Sequence, residues 1–376
     1  MISRAALFIL LCSLGFCASP TADRNVNAKA AQEPNPKTDA PIYPAPLKNM
    51  IGQMIVVGFE GINAADDRVK RVAAQIKNGS VGGVIIYARN VGDPVTFERL
   101  TRSLHYSISD NPPLWIMIDQ EGGKVQRLNS QKGFSDYPSA KKIGKGTLNA
   151  AFSVYRDLAC ELRGYGINFN LAPTVDLDRG EGVIAADERA FSADARKTTG
   201  FATQFVNAHD SCGVLTAIKH FPGHGSASGD PHIESADATA AYAAEELTPF
   251  KALIDAKKAR AVMVSHIIDR DVDNAPATLS KTHIDRLRAL GFDGAVIGDD
   301  LQMGAIALNY DLNETIVKAI NAGDNILLFS NMFAYDPEIP EKAQIIVKKA
   351  IASGEIDPQK IIDSYNRVIA LKQRRQ

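Results

Sequence analysis

From residue 54 onward, short unbroken apolar runs alternate with longer stretches in which apolar positions recur every three or four residues. The runs at 54–59, 83–87, 114–118, 167–171, 213–218, 259–264, 294–297 and 325–329 read as eight strands. They lack polar alternation, which suits strands covered on both faces of a parallel sheet. The periodic stretches between them read as helices: 66–78, with Val69, Val72, Ala73 and Ile76 on one face, then 94–108, 139–163, 196–210, 238–256, 282–289 and 314–321. Helices at 340–352 and 358–373 end the chain. Eight strand–helix units over about 330 residues predict an α/β fold, a single (β/α)8 TIM-type barrel with insertions. A doubly wound open sheet is the alternative, and the absence of GxGxxG after the first strand weakens its dinucleotide-binding version.

The first 45 residues break the pattern. Arg4 precedes an apolar run ending in Phe16-Cys17-Ala18-Ser19, which reads as a secretory signal peptide over residues 1–19. The run is short for a membrane span, which needs about 20 residues. Cleavage after Ala18 or Ser19 is one reading. Leu14-Gly15-Phe16-Cys17 also resembles a lipoprotein site, which would put a lipid anchor on Cys17, although Phe16 stands where a small residue belongs. Either way the protein is expected to be exported, periplasmic or secreted. Residues 20–45 carry Pro20, Pro34, Pro36, Pro41 and Pro44 without apolar periodicity, and read as a flexible linker to a domain over 46–376. Cys160 and Cys212 fall in that domain. They are read as two buried free thiols, though an oxidising compartment would let them pair. A formal net charge of -1 gives no electrostatic case for a nucleic-acid or anionic-membrane partner.

Candidate chemistry follows the strands. The third runs into Asp119-Gln120-Glu121-Gly122-Gly123, the fourth into Ala172-Pro173-Thr174-Val175-Asp176, the fifth into Lys219-His220, the sixth into Ser265-His266 and the seventh into Asp299-Asp300. A single Asp after a strand is more often a cap or turn residue. In a barrel, however, the C-terminal strand ends share one mouth, which would collect Asp119, Asp176, Lys219, His220, His266 and Asp299. Asp299 and Asp300 are adjacent, so one of them enters the pocket directly, and pattern does not choose between them. The loop after the fifth strand, Lys219-His220-Phe221-Pro222-Gly223-His224-Gly225, leads to Asp230-Pro231-His232. Pro231 pushes Asp230 toward extended geometry, where side chains two apart share a face. Asp230 can then fix the tautomer of His232 and make it a better base. An Asx-turn with a solvent-facing His232 is the plainer reading.

Four segments carry a resemblance: Ile118-Asp119-Gln120-Glu121-Gly122-Gly123-Lys124-Val125-Gln126-Arg127-Leu128, Glu188-Arg189-Ala190-Phe191-Ser192, the stretch from Lys219 to His232, and Ile297-Gly298-Asp299-Asp300-Leu301-Gln302-Met303. Together they resemble the single-domain β-N-acetylglucosaminidases of glycoside hydrolase family 3. The Lys-His-Phe-Pro-Gly-His-Gly loop with a downstream Asp-x-His is specific to that branch. The resemblance implies an exo-acting, retaining β-N-acetylglucosaminidase with Asp299 as nucleophile, His232 as general acid/base and Asp230 as its orienting partner. It implies sugar contacts from Asp119, Arg127, Arg189, Lys219 and His220, with Asp176 and His266 as weaker candidates. No metal or cofactor is called for, a GlcNAc-containing glycan is the partner, and a monomer is expected. Lys124 replaces an Arg usual in the motif and is expected outside direct contact. Pro231 replaces a Ser, which leaves the Asp-x-His spacing intact.

Three rivals remain. His220, His224, His232 and Asp230 are metal-ligand types, so a metal-dependent hydrolase is one. A phosphorylase is the second, because a neutral His does not repel an incoming phosphate. A silent cell-wall binding protein is the third. Export points to peptidoglycan fragments as substrate, with chitooligosaccharides as the alternative.

Overall fold

Alternate positions of each strand part company in the computed structural model, which describes residues 43–108, 112–229, 233 and 236–374. Val56, Ile85, Trp115, Met117, Phe169, Leu171, Ala217, Met263, Ile297 and Leu328 form one buried cluster along a central axis. Their neighbours Ile55, Val57, Val84, Ile86, Ile116, Ile118, Val262 and Val296 join the cluster packed under the helices. Both faces are buried, which is why the runs carry no polar alternation. The proposed leader, most of the linker, Cys17, Asp230, Pro231 and His232 lie outside the described residues.

The strands are β1 (Ile55–Gly58), β2 (Gly83–Ile86), β3 (Trp115–Ile118), β4 (Phe169–Asn170), β5 (Leu215–Phe221), β6 (Ala236–Asp237), β7 (Ala261–Val264), β8 (Ile267–Ile268), β9 (Ala295–Gly298) and β10 (Leu327–Phe329). Eight form one parallel sheet, in the order β10-β1-β2-β3-β4-β5-β7-β9, β6 and β8 pair in parallel apart from it, and an Ile297–Ile326 bridge joins β9 to the segment entering β10. That closes the (β/α)8 barrel the pattern predicts. The open-sheet alternative is ruled out.

Four local expectations are corrected. The helix expected at 139–163 is two, Ala140–Ile143 and Leu148–Gly164. A Cβ at Gly144 would sit 2.1 Å from the Phe191 carbonyl, so the chain turns where only glycine fits. The segment 238–256 is not one helix despite its alanines. Ala236 and Asp237 form β6 beside β8, Ala238 donates to the Ile268 carbonyl, and the α-helix waits until Thr248–Asp255, with Pro249 in its first turn. The fifth strand does not stop before Lys219 but runs through Phe221, with an irregularity in its pairing with β7 between Ile218 and Phe221. Cys160 and Cys212 are neither buried nor free. They form a disulfide between the helices Leu148–Gly164 and Ala195–Ser211, with Cα atoms 5.2 Å apart.

The floor of the barrel is sealed by the last helix, Pro358–Gln373, whose Val368 and Leu371 join the axial cluster. Lys372 reaches beneath Trp115, its Nζ 4.6 Å from the ring centroid, and donates to Gln53 Oε1 (2.7 Å) and the Gly82 carbonyl (2.6 Å). Among the described residues that end of the axis is filled by apolar side chains, and the polar strand ends lie at the opposite one.

Candidate active site

Three side chains reach the mouth by continuing a two-residue period. Trp115 and Met117 face the axis, so Asp119 does too; Leu215 and Ala217 place Lys219, and Ala295 and Ile297 place Asp299. The irregularity in β5 lets His220 face the same cavity as Lys219. The cavity measures about 310 Å³ and is floored by Leu171, Met263 and Leu328. Asp119, Arg127, Arg189, Lys219, His220 and Asp299, named from sequence, all line it.

A chain of charges runs along one wall. Lys219 Nζ lies 2.7 Å from Asp119 Oδ1 and 2.8 Å from Glu121 Oε1. Arg127 Nη2 reaches Asp119 Oδ2 at 3.3 Å. Arg189 grips Glu121 with Nε (3.0 Å) and Nη2 (2.8 Å), and Thr174 donates to the same carboxylate at 3.0 Å. Burial opposes the charge on Asp119, but Lys219 and Arg127 outweigh it and hold the carboxyl below the usual range. For Glu121 the same burial is outweighed by Arg189 and Lys219, which hold it far below that range. Lys219 is raised despite its burial, because Asp119 and Glu121 flank it.

Hydrogen-bond partners assign the tautomer of His220. Its Nδ1 lies 2.6 Å from Asp176 Oδ2, and its Nε2 lies 3.2 Å from Arg189 Nη2. An ionised carboxylate only accepts and a guanidinium only donates. His220 therefore carries its hydrogen on Nδ1 and accepts on Nε2. Asp176 Oδ1 also receives the backbone N–H groups of His220 (3.1 Å) and His224 (2.8 Å). One carboxylate thus fixes both the ring and the start of the loop.

Asp176 and His266, the weaker candidates for sugar contact, are not brought to the cavity surface. Both are fully buried, and neither lines the cavity. Asp176 acts on His220 from behind. The ring nitrogens of His266 meet Thr278 Oγ1 (2.9 Å) and the Asp300 carbonyl (2.8 Å). His266 stands behind the Asp299–Asp300 pair, and its field favours the Asp299 anion.

The two adjacent aspartates differ. Asp300 Oδ1 is tied down by the N–H groups of Ser330 (2.8 Å) and Gln302 (3.2 Å), whereas Asp299 Oδ1 accepts only the Asp300 N–H (2.8 Å) among the described hydrogen bonds. Burial pushes the Asp300 carboxyl up to about 6 despite those donors. Burial pushes Asp299 the same way, but His266, His220, the Asp300 N–H and Lys219 outweigh it and keep the carboxyl below its ordinary value. Asp299 is thus ionised at neutral pH, on the axis side and open to the cavity.

Tyr87 lines the cavity, and buried Glu121 holds Arg189 and Lys219 without lining it; neither was singled out. Glu121 sits two residues past Asp119 inside a quoted motif, but its partners converge on it from other elements. The Tyr87 ring lies between Arg89 and Arg127, whose guanidinium carbons are 5.0 and 5.5 Å from its centroid. Lys124, expected outside direct contact, stands on the cavity rim paired with Asp187. Met332 and Phe333, each about half exposed, form an apolar part of the rim. Among the described residues no group of three His, Cys, Asp or Glu side chains is placed to hold a metal.

The chain matches the Glycosyl hydrolase family 3 N terminal domain over residues 46–371. A protein from Tolumonas auensis named Beta-hexosaminidase is 35% identical over 265 residues, covering 68% of this chain and 77% of its own. Another of that name, from Methylobacillus flagellatus, is 32% identical over 289 residues, covering 74% and 80%. A family 3 β-N-acetylglucosaminidase structure from Paenibacillus sp. superposes with a TM-score of 0.80 at 34% identity over 88% of this chain, which spans 62% of that one. A Mycobacterium smegmatis glycosyl hydrolase of the same family gives 0.78 at 27% identity, covering 89% and 99%. The barrel's closure, the polar strand ends at its mouth and a match from the first helix to the last agree: this chain is a glycoside hydrolase and belongs to glycosyl hydrolase family 3.

Proposed function

We propose that this protein is an exo-acting, retaining β-N-acetylglucosaminidase. The observation that carries the reading is the ionised Asp299, held on the barrel axis in a small cavity sealed at its far end. A cavity of about 310 Å³ is at the small end for ligand sites, which suits one terminal sugar rather than a chain running through. Relatives named Beta-hexosaminidase supply the acetamido preference.

In this reading an Asp299 oxygen attacks the anomeric carbon as the bond to the leaving oxygen breaks, and protonated His232 gives that oxygen its proton. Neutral His232 then takes a proton from water, whose oxygen displaces Asp299 from the sugar. Retention ordinarily uses two carboxyl groups. An imidazole oriented by Asp230 serves both steps because its ordinary pKa lies near neutrality. Asp230 and His232 enter from the sequence resemblance alone. Asp119, Lys219 and Arg127 are assigned to sugar hydroxyls.

The natural substrate is assigned to GlcNAc-terminated peptidoglycan fragments, or chitooligosaccharides, outside the cytoplasm. The Cys160–Cys212 disulfide supports an oxidising compartment, in keeping with the leader-like first 19 residues.

The deciding experiment is hydrolysis of a chromogenic β-N-acetylglucosaminide beside the matching β-glucoside, by wild type and Asp299→Asn, with and without phosphate. Selective turnover of the acetamido sugar, lost in the variant, is the expected result. Turnover of neither sugar by folded protein overturns the reading, and a sugar phosphate as product moves it to a phosphorylase.

A further inference from the structure

Where the segment after β10 leaves the barrel, two bulky apolar side chains stand in the open. Met332 is 52% and Phe333 50% exposed, and both line the cavity that Leu328 floors. Other exposed large apolar side chains among the described residues, Tyr106 and Leu308 for example, line no part of it. Single apolar side chains scattered on a surface need no explanation, but an adjacent pair at the edge of a ligand cavity marks a contact surface.

The pair is held in that position by the backbone before it. Asn331 stands at φ +53°, a left-handed conformation that costs most residues energy and that Asn tolerates better than they do. Its neighbours fix it there. The Asn331 N–H donates to Gln302 Oε1 (2.7 Å), its Nδ2 donates to the Gly58 carbonyl (3.0 Å), and its Oδ1 accepts the Asp336 N–H (3.1 Å). The Met332 N–H donates to Ser330 Oγ (3.1 Å), and the Ser330 N–H donates to Asp300 Oδ1 (2.8 Å). A strained residue persists only where the surrounding structure over-determines it, and such residues gather at ligand sites. The turn that presents Met332 and Phe333 is thus pinned to the residue beside Asp299.

Its place in the barrel fits the reaction. The Ile297–Ile326 bridge sets β10 next to the strand that carries Asp299. With the terminal sugar in the cavity and Asp299 attacking from its strand end, the departing oxygen leaves on the opposite face of the anomeric carbon, toward the mouth. The leaving group therefore crosses the rim. One sector of that rim is the charged Lys124–Asp187 pair, and another is Met332 with Phe333. A pyranose ring presents a face of C–H groups, whose slightly positive hydrogens suit the negative face of a phenyl ring. We infer that Met332 and Phe333 form the platform on which the first sugar of the leaving group packs, so that they set a preference for glycan over small leaving groups. The inference rests on the glycosidase reading above and adds the contact for the second sugar.

The test is steady-state hydrolysis of N,N′-diacetylchitobiose and of methyl β-N-acetylglucosaminide by wild type, Phe333→Ala, Met332→Ala and Phe333→Tyr. The two substrates share the terminal sugar and differ in the leaving group. The readout is kcat/KM on the disaccharide divided by kcat/KM on the methyl glycoside, a quotient that cancels any loss of folded enzyme and any change at the terminal sugar. It is expected to fall by roughly 2- to 10-fold in Phe333→Ala, the value of an aromatic stacking contact. It falls also in Met332→Ala and stays near the wild-type value in Phe333→Tyr, which keeps the ring. An unchanged quotient in either alanine variant overturns the platform, as does a fall in Phe333→Tyr as large as that in Phe333→Ala. Should Phe333→Ala not fold, Met332→Ala decides by the same quotient. Wild type that cleaves the methyl glycoside but not the disaccharide sinks this assignment and leaves the glycosidase reading standing. Wild type that cleaves neither removes both.

Discussion

The Lys219 ammonium lies 2.7 Å from the Asp119 carboxylate, which precedes it by a hundred residues in the chain. Both are largely buried, and Glu121 shares the same ammonium. Removing one partner strands the others in a low-dielectric site, which typically costs 3–5 kcal/mol. Asp119→Asn takes a carboxylate from both Lys219 and Arg127 and is therefore expected to lower stability by roughly that amount, with most of the loss recovered in Asp119→Asn/Lys219→Met, which keeps the Arg189–Glu121 pair and leaves Arg127 against the Tyr87 ring. Urea unfolding of the single and double variants checks this. A double variant no more stable than the single one would show that the charges do not act as a unit.

Asp176 gives a prediction about activity without contact. Asp176→Asn offers an NH2 where His220 Nδ1–H expects an acceptor, so the ring must change tautomer or turn. Its Nε2 then no longer accepts from Arg189. One lost buried hydrogen bond is worth about 1–3 kcal/mol, or roughly 5- to 150-fold in kcat/KM. Asp176 stands behind the cavity, so the expected change is accompanied by an altered His220 imidazole signal in NMR. A normal signal with normal kcat/KM would refute the positioning role.

Asp300 predicts a pH-dependent stability. Its folded value of about 6 lies above that of an unfolded aspartate, near 3.9. Between those values the folded state binds more protons than the unfolded state, so this group's contribution to stability falls as pH rises. Above pH 6 the deficit is complete, about 3 kcal/mol from the two-unit gap. Asp300→Asn abolishes the titration, so its Tm relative to wild type should improve between pH 4 and pH 8. Asp119 and Glu121 have the opposite sign. Their depressed folded values give stability that is intact above the ordinary carboxylate range and drains away as pH drops through it toward those values. Equal Tm differences at pH 4 and pH 8 for Asp300→Asn would contradict its assignment.

The Cys160–Cys212 bridge closes a loop of about 52 residues between two helices that pack on each other. Loop-closure entropy gives such a link an upper value of about 4 kcal/mol. Cys160→Ser, or wild type under dithiothreitol, is expected to unfold at lower urea concentration while kcat/KM stays unchanged, because neither cysteine lines the cavity. A midpoint insensitive to reductant would contradict this.

Much of the fold was legible because burial on both faces writes strands as unbroken apolar runs. Asp119, Lys219 and Asp299 were legible for a related reason: each extends the parity of the axial residues before it. Three kinds of feature were not. Two-residue strands such as β6 and β8 are too short to show a period. The disulfide depends on how two helices meet, which cysteine spacing does not encode. Asp176 and His266 follow strands just as Asp119 does, and no sequence pattern separates a side chain in the cavity from one a layer behind it. Glu121 lay in plain view inside a quoted motif, but its role depends on Arg189 and Lys219 converging from other elements. The parts given to Asp230 and His232 still rest on the resemblance.

Ser228 and Asp237 exchange both backbone hydrogen bonds, N to O at 3.0 Å and 3.1 Å, where β6 meets the loop after β5. β6 pairs with β8 as well, so one two-residue strand ties the start of the loop after β5 to the segment that follows β7. In polymer terms Ser228 and Asp237 are two fixed points of the chain, and loop-closure entropy grows only logarithmically with the number of residues between such points. Changing that number is therefore a low-cost alteration that leaves the barrel strands untouched.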